Sequence, residues 1–283
     1  MTSTRETVAT VGKTESSADE KINLSSDIRK NGGSVTVSYA SSLLPNILSG
    51  IDYLKTFPYG CSEQRTSAIM PTIYLKQLYD SVKVPFDLKT KTVKEYVDSY
   101  QGYQERSLDT IIRGYLVDIK NFQRLNGGFG YWMDSEYDDL PLTIELVSAM
   151  AEIRSIGYTP NDAMMENAAK YLKAKFYENK RPYCFDAKDC SWDRSVRLAI
   201  IEAILDNTPQ DYEAYKMYKL LSFDGADSLT QVNRTRVLAK LLRITAIGKD
   251  EKDTLTKLAN EQIKSIASNG LVYNPRGAFL GSS

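Results

Sequence analysis

At 283 residues the chain has room for one large domain or two small ones, and its 42% hydrophobic and 25% charged residues are those of a globular protein that buries a substantial core. Lys plus Arg and Asp plus Glu balance at 36 each, which argues against a basic nucleic-acid groove and against a polybasic membrane-surface protein. The complete lack of histidine removes Ser-His and Cys-His nucleophile pairs, and with only three scattered cysteines it removes most zinc sites as well.

Residues 1–34 are rich in Ser, Thr, Lys and Glu and close on Asn31-Gly32-Gly33, the composition of a linker. The opening stretch Met1 to Lys13 has no apolar h-region, and no run in the chain approaches the ~18 apolar residues of a membrane span. Val35, Val37 and Tyr39 alternate with Thr36 and Ser38, which predicts a short strand, expected to be the remnant of a preceding β domain within residues 1–40. From Ser41 the pattern turns helical. Leu44, Ile47, Leu48, Ile51 and Leu54 form one apolar stripe, and Ala68 to Leu78 a second, with Pro71 as a possible kink. A long third pattern, from Thr92 to Arg124, runs through Val93, Val97, Leu108, Ile111, Ile112, Leu116 and Ile119 and reads as helix.

Further helices are predicted over Pro141–Ile156, with Pro at a starting position, and over Asn161–Tyr177, Trp192–Leu205, Pro209–Leu221, Leu229–Ile247 and Leu255–Ile266. The tyrosines from Tyr212 to Tyr218 read as packing between helices. Leu271-Val272-Tyr273 reads as a short extended stretch before the chain stops at Ser283. Helix after helix joined by short polar turns predicts an all-α fold, either an α/α solenoid or a closed α/α toroid, and the pattern alone does not choose between them.

Pro58-Tyr59-Gly60-Cys61-Ser62-Glu63-Gln64 carries the chemistry. Cysteine and glutamine stand three residues apart at the start of a helix, so one turn brings both side chains to the same face. Gly60 permits a tight backbone entry, and Glu63 places a negative charge in the first helical turn, where the helix dipole favours it. Elsewhere, Cys184 and Cys190 flank Phe185 to Asp189 in a loop and read either as a disulfide or as two free thiols; the disulfide would leave Cys61 as the odd cysteine. Asn126-Gly127-Gly128-Phe129-Gly130 lacks the Lys-Ser/Thr and the preceding strand of a phosphate loop and reads as a turn. The acidic run Asp134, Glu136, Asp138, Asp139 offers oxygen ligands to a hard cation, but a solvated loop is the simpler reading.

The Cys61 segment resembles the thioester motif of the alpha-2-macroglobulin and complement family, in which Cys-Gly-Glu-Gln is common; Ser62 is a variation of the kind that bacterial members show. The approach Ser49-Gly50-Ile51-Asp52-Tyr53-Leu54, and the later segment from Gln123 through Asn126-Gly127-Gly128-Phe129-Gly130-Tyr131-Trp132, resemble the same family, so the likeness runs from about Val35 to Ser283. The resemblance implies an α/α toroid of the terpenoid cyclase and prenyltransferase kind over residues 41–283, lacking its last helices, and hence a fragment truncated at its C-terminus. It implies an internal thioester between Cys61 and Gln64, with Glu63 as a further site residue and Tyr59, Gly60, Tyr131, Trp132 and Met133 as its shelter. The implied partners are target proteases, captured through lysine amines, and the other macroglobulin domains of a parent protein in the periplasm, cell envelope or extracellular space. No cofactor, metal, nucleic acid or membrane span is implied.

With no histidine to relay the acyl group, direct attack by amines is expected over attack by hydroxyls. The implied protein is a single-use inhibitor and not an enzyme. A thioester adhesin and a helical scaffold that keeps the motif without the bond stand as alternatives. A toroid enzyme is disfavoured, because no Asp-rich or zinc-ligand motif is present.

Overall fold

The computed structural model describes residues 21, 60–98, 102–178, 191–223 and 228–268. From residue 60 onward these belong to one compact unit, Asn46–Ser283. They form eight α-helices, one 3-10 turn and one two-stranded hairpin. The expected strand at Val35–Tyr39, the helix at Leu44–Leu54 and the extended stretch at Leu271–Tyr273 lie outside the described residues.

Helix α1 (Ser62–Ser81) runs through Pro71, whose missing N–H costs one intrahelical bond without ending the helix. Its buried side is Ser62, Thr66, Ile69, Thr72, Ile73 and Leu75, polar at the N-terminal end and apolar beyond. A hairpin follows, β1 (Thr92–Asp98) pairing antiparallel with β2 (Gly102–Ser107) in a register that sets Thr92 opposite Ser107. This corrects the reading of Thr92–Arg124 as one helix. Val93 and Val97 fit a helical stripe as well as a strand, but Thr, Val and Tyr favour extended backbone, and Gly102 at φ +62° supplies the reversal. The helix proper, α2 (Leu108–Asp118), begins where Ser107 Oγ accepts the Thr110 N–H at 3.1 Å, and it ends in a 3-10 turn, Ile119–Phe122.

Helix α3 (Leu140–Ser155) carries Pro141 in its first turn, as expected, with Asp139 as its cap. Helix α4 (Asp162–Tyr177) is capped by Asn161. Helices α5 (Ser191–Asn207), α6 (Tyr212–Lys219), α7 (Ser228–Leu241) and α8 (Lys249–Ser268) complete the set. Helix α6 is shorter than Pro209–Leu221 because Asp211 caps it. Helix α7 stops at Leu241, short of Ile247, in turns closed by Leu242 and Ile244 N–H groups on Leu238 and Leu241 carbonyls. Helix α8 begins six residues before Leu255 because its first turn, Lys249-Asp250-Glu251, is polar and invisible to an apolar stripe.

Helices α1, α3, α5 and α7 pack side by side in that order, and α2, α4, α6 and α8 each pack back on the inner helix that precedes them. Helix α5 is therefore walled in, and Leu198, Ile200, Ile201, Ala203, Ile204 and Leu205 are all buried. Tyr215 and Tyr218 are buried between helices, as expected for packing residues. The alternation of inner and outer helices is the all-α arrangement that the sequence predicted. Its consequence for chemistry is that the N-terminal ends of α1 and α3 and the loop between the 3-10 turn and α3 meet at one end of the unit.

Candidate functional site

Cys61 is the N-cap of α1. Its backbone is extended (φ −67°, ψ 159°), and its Sγ accepts the Gln64 N–H at 3.4 Å. A cap is usually an oxygen, and here sulfur holds that place. The thiol is 5% exposed and is a free cysteine. Capping fixes the spatial relation of Cys61 to Gln64, because the residue whose N–H is capped carries the carboxamide. Among the described residues Gln64 Oε1 is buried with no hydrogen-bond partner. An acceptor stripped of water and left unpaired costs on the order of 1–3 kcal/mol.

The entry to the helix is clamped from both sides. Arg65 Nε donates to the Gly60 carbonyl at 2.9 Å, its guanidinium reaches Asp118 at the end of α2 at 3.2 Å, and it lies over the Phe122 ring. A Cβ at Gly60 would sit 3.3 Å from that guanidinium, so the glycine leaves room for the clamp. On the other side, Ser62 N–H donates to the Tyr131 carbonyl at 2.9 Å and Ser62 Oγ to the Gly130 carbonyl at 2.8 Å. Thr66 Oγ1 donates to the Ser62 carbonyl and shares a 2.8 Å hydrogen bond with the buried Tyr115 hydroxyl. Sequence reasoning missed Ser62, Thr66 and Tyr115 as site residues. The one available signal was a pair of hydroxyls, Ser62 and Thr66, four apart on the face of α1 that should be apolar.

The Gly130–Met133 segment is held by its own scaffold. Arg124 donates to the carbonyls of Phe122, Ser135, Asn121, Trp132 and Met133. Gly127, at φ +93°, passes so close to α4 that a Cβ would meet the Asn167 carbonyl oxygen at 2.2 Å. Asn126-Gly127-Gly128-Phe129-Gly130 is thus a turn whose glycines serve close packing. Of the acidic run, Asp138 accepts from Asn126 and Tyr171, and Asp139 caps α3. Among the described residues no group of three or more Cys, Asp or Glu side chains is arranged to hold a metal ion.

Tyr131, Trp132 and Met133 are brought to the Cys61 end of α1, but their side chains are 43%, 51% and 48% exposed. Among the described residues they border the site and do not enclose it. Tyr59, Cys184 and Cys190 lie outside the described residues.

Two carboxylates complete the cluster. Glu63 on α1 and Glu145 on α3 lie on helices that pack together, near enough for their charges to interact. Burial, followed by repulsion from Glu63, pushes the Glu145 carboxyl up to about 7. The Tyr131 hydroxyl is also pushed up, first by burial and then by Asp139, Glu63, Glu145 and Cys61, so these groups share one electrostatic neighbourhood. Sequence reasoning did not single out Glu145, which reads as one polar residue in an apolar helix.

The chain matches no protein-family model. It is similar to the alpha-2-macroglobulin of Thermotoga maritima, 22% identical over 137 residues that make up 48% of this chain and 7% of that protein. Among solved structures, it is similar to the native conformation of Escherichia coli alpha-2-macroglobulin, with a TM-score of 0.52 and 16% identity over 77% of this chain and 12% of that one. It is also similar to a structure of the native E. coli protein spanning domain MG7 to the C-terminus, with a TM-score of 0.51 and 18% identity over 77% of this chain and 31% of that one. The chain thus spans well under half the length of the proteins it matches. The Thermotoga likeness in sequence and the E. coli likeness in fold agree: the chain is similar to part of the length of bacterial alpha-2-macroglobulins.

Proposed function

We propose that Cys61 and Gln64 close into an internal thioester, and that the protein carrying this chain uses the bond to trap proteases covalently. The observation that carries the reading is the capped turn itself. The Cys61 sulfur is buried on the amide of Gln64, and the carboxamide oxygen of Gln64 is buried and unpaired. Closing the bond joins Sγ to the side-chain carbonyl carbon of Gln64 and releases ammonia. Opening it transfers that acyl group to an amine, such as a lysine of an attacking protease, and returns Cys61 as a thiol. A thiol leaves far more readily than an amide nitrogen, so the thioester is activated where the glutamine was inert. Each molecule acts once, because the product is an ordinary amide.

Water is the competing nucleophile. Tyr131, Trp132 and Met133, half exposed beside the site, supply one wall, and other macroglobulin domains of the parent protein supply the rest. The absence of histidine from the chain leaves no imidazole to hand the acyl group to hydroxyls, so amines are the preferred acceptors. A periplasmic, envelope or extracellular setting accords with this use.

Intact-mass measurement on the freshly isolated protein tests the reading. The thioester form weighs one ammonia less than its sequence, and methylamine adds to Gln64 while releasing one titratable thiol. An unmodified mass with a freely titrating Cys61 leaves only a helical scaffold.

A further inference from the structure

The wall beside the reactive turn is built as a unit of its own and is tied to α1 through one residue. Arg124 gathers the carbonyls of Trp132, Met133 and Ser135. The Gly130 N–H donates to the Phe122 carbonyl at 3.0 Å, and the Phe129 N–H donates to Thr143 Oγ1 at 2.8 Å. None of these bonds reaches α1. Among the described residues, both hydrogen bonds that join the wall to α1 come from Ser62. Its N–H donates to the Tyr131 carbonyl at 2.9 Å, and its Oγ donates to the Gly130 carbonyl at 2.8 Å. The first N–H groups of a helix have no partner inside it, so the backbone of Ser62 is free to bind outward. The hydroxyl adds a second bond, one residue earlier on the wall, that glycine or alanine at this position would lack.

Ser62 is itself held in place. It is fully buried and next in sequence to Cys61, and its carbonyl accepts Thr66 Oγ1 at 2.7 Å. That bond uses the Thr66 hydroxyl proton, so in the 2.8 Å contact between Thr66 and Tyr115 the tyrosine is the donor. A chain of hydrogen bonds thus runs from α2 through Thr66 to Ser62 and on to the wall. The wall in turn carries Tyr131, whose hydroxyl is near enough to Cys61 to feel the charge of its sulfur.

We infer that Ser62 is a positioning residue of the reactive turn: its hydroxyl and N–H latch the Gly130–Met133 wall onto α1, and this latch sets how long the Cys61–Gln64 bond lasts in water. The inference rests on the thioester reading. In hydrolysis the water oxygen bonds to the side-chain carbonyl carbon of residue 64 and the carbon–sulfur bond breaks. One water proton stays with the new carboxyl group and the other goes to the Cys61 sulfur. Water gains access when the wall lifts off α1, and each bond of the latch reduces the fraction of time that it is lifted. Removing one such bond shifts the opening equilibrium roughly five- to tenfold.

The test uses the full protein in amine-free buffer. It follows hydrolysis by the gain of one water in intact mass, together with amide hydrogen exchange over residues 60–66 and 127–135. Ser62→Ala is expected to form the bond, to hydrolyse it roughly five- to tenfold faster than wild type, and to exchange faster by a similar factor in those two segments. Ser195→Ala removes another buried hydroxyl, the one that meets Thr230 at 3.0 Å between α5 and α7, and is expected to hydrolyse at the wild-type rate. That variant separates the latch from a general loss of stability. Should Ser62→Ala be isolated with the bond already gone, peptide mass decides: a carboxyl at position 64 supports the latch, and an intact Gln64 carboxamide overturns it. Wild-type protein with no ammonia deficit overturns the thioester and this role together. A wild-type deficit with hydrolysis unchanged in Ser62→Ala, with faster hydrolysis but unchanged exchange, or with equal acceleration in Ser195→Ala, overturns the role of Ser62 alone.

Discussion

Glu145 and Glu202 lie on neighbouring inner helices, α3 and α5, and the fold treats them in opposite ways. Glu202 is 7% exposed, and it receives both Arg236 and Lys240 from α7, at 2.7 Å for the lysine, while Lys240 also pairs with Asp206. Glu145 has no salt bridge among the described residues, and the charge that acts on it is that of another carboxylate, Glu63. At the α5–α7 contact the buried Ser195 and Thr230 hydroxyls satisfy each other at 3.0 Å, although Asn233 Nδ2 on α7, like Gln64 Oε1 on α1, is buried without a hydrogen-bond partner among the described residues. The difference between the two regions lies in their carboxylates, paired with cations at Glu202 and repelled by a like charge at Glu145.

That contrast can be broken from either side, and the largest effect is expected where the site end depends on backbone fit. Gly127→Ala combines a left-handed φ of +93° with a Cβ 2.2 Å from the Asn167 carbonyl oxygen, so it should destabilise by roughly 3 kcal/mol or more. Because the displaced loop carries the Gly130 and Tyr131 carbonyls that hold Ser62, the variant should also expose Cys61 to thiol reagents. Denaturant unfolding with thiol titration reads both effects, and a stable variant with an unreactive Cys61 would separate the loop from the site. Next comes Glu202→Gln, which strands Arg236 and Lys240. The roughly 3–5 kcal/mol of a fully buried pair falls to about 2 kcal/mol here, because both cations are partly exposed. Denaturant unfolding should show the loss with methylamine uptake unchanged.

The smallest expected effect has the opposite sign. Glu145 is held at about 7 in the folded chain against an ordinary value of 4.5, so the folded state binds its proton more tightly than the unfolded state does. Its stability is fully present below pH 4.5 and is lost as pH rises through 7. Glu145→Gln should therefore match wild type at pH 4 and exceed it at pH 8, by about 1 kcal/mol after allowing for partial solvation. Equal stability of the two proteins at pH 8 would mean that Glu145 is compensated after all, and the contrast with Glu202 would disappear.

The legible parts of the site were those written within one turn of helix. Cys61 and Gln64 are three residues apart, and Pro141 and Asn161 mark helix starts by their own chemistry. The hairpin at Thr92–Ser107 was misread because Val93 and Val97 sit four apart, a spacing that a helix and a strand both allow. Ser62 looked like a tolerated variation, and only the loop arriving from 68 residues away gave it a task.

By itself the sequence determined a mainly helical unit, the starts of α3 and α4, and a cysteine–glutamine pair in one turn, because helical period and capping act between residues a few positions apart. Only the tertiary structure decided that Glu145 would come within reach of the Glu63 charge and that the Gln64 carboxamide oxygen would be buried without a partner among the described residues. Burial and electrostatic coupling depend on which helices become neighbours, and no local pattern in a chain encodes the distance between residues 63 and 145.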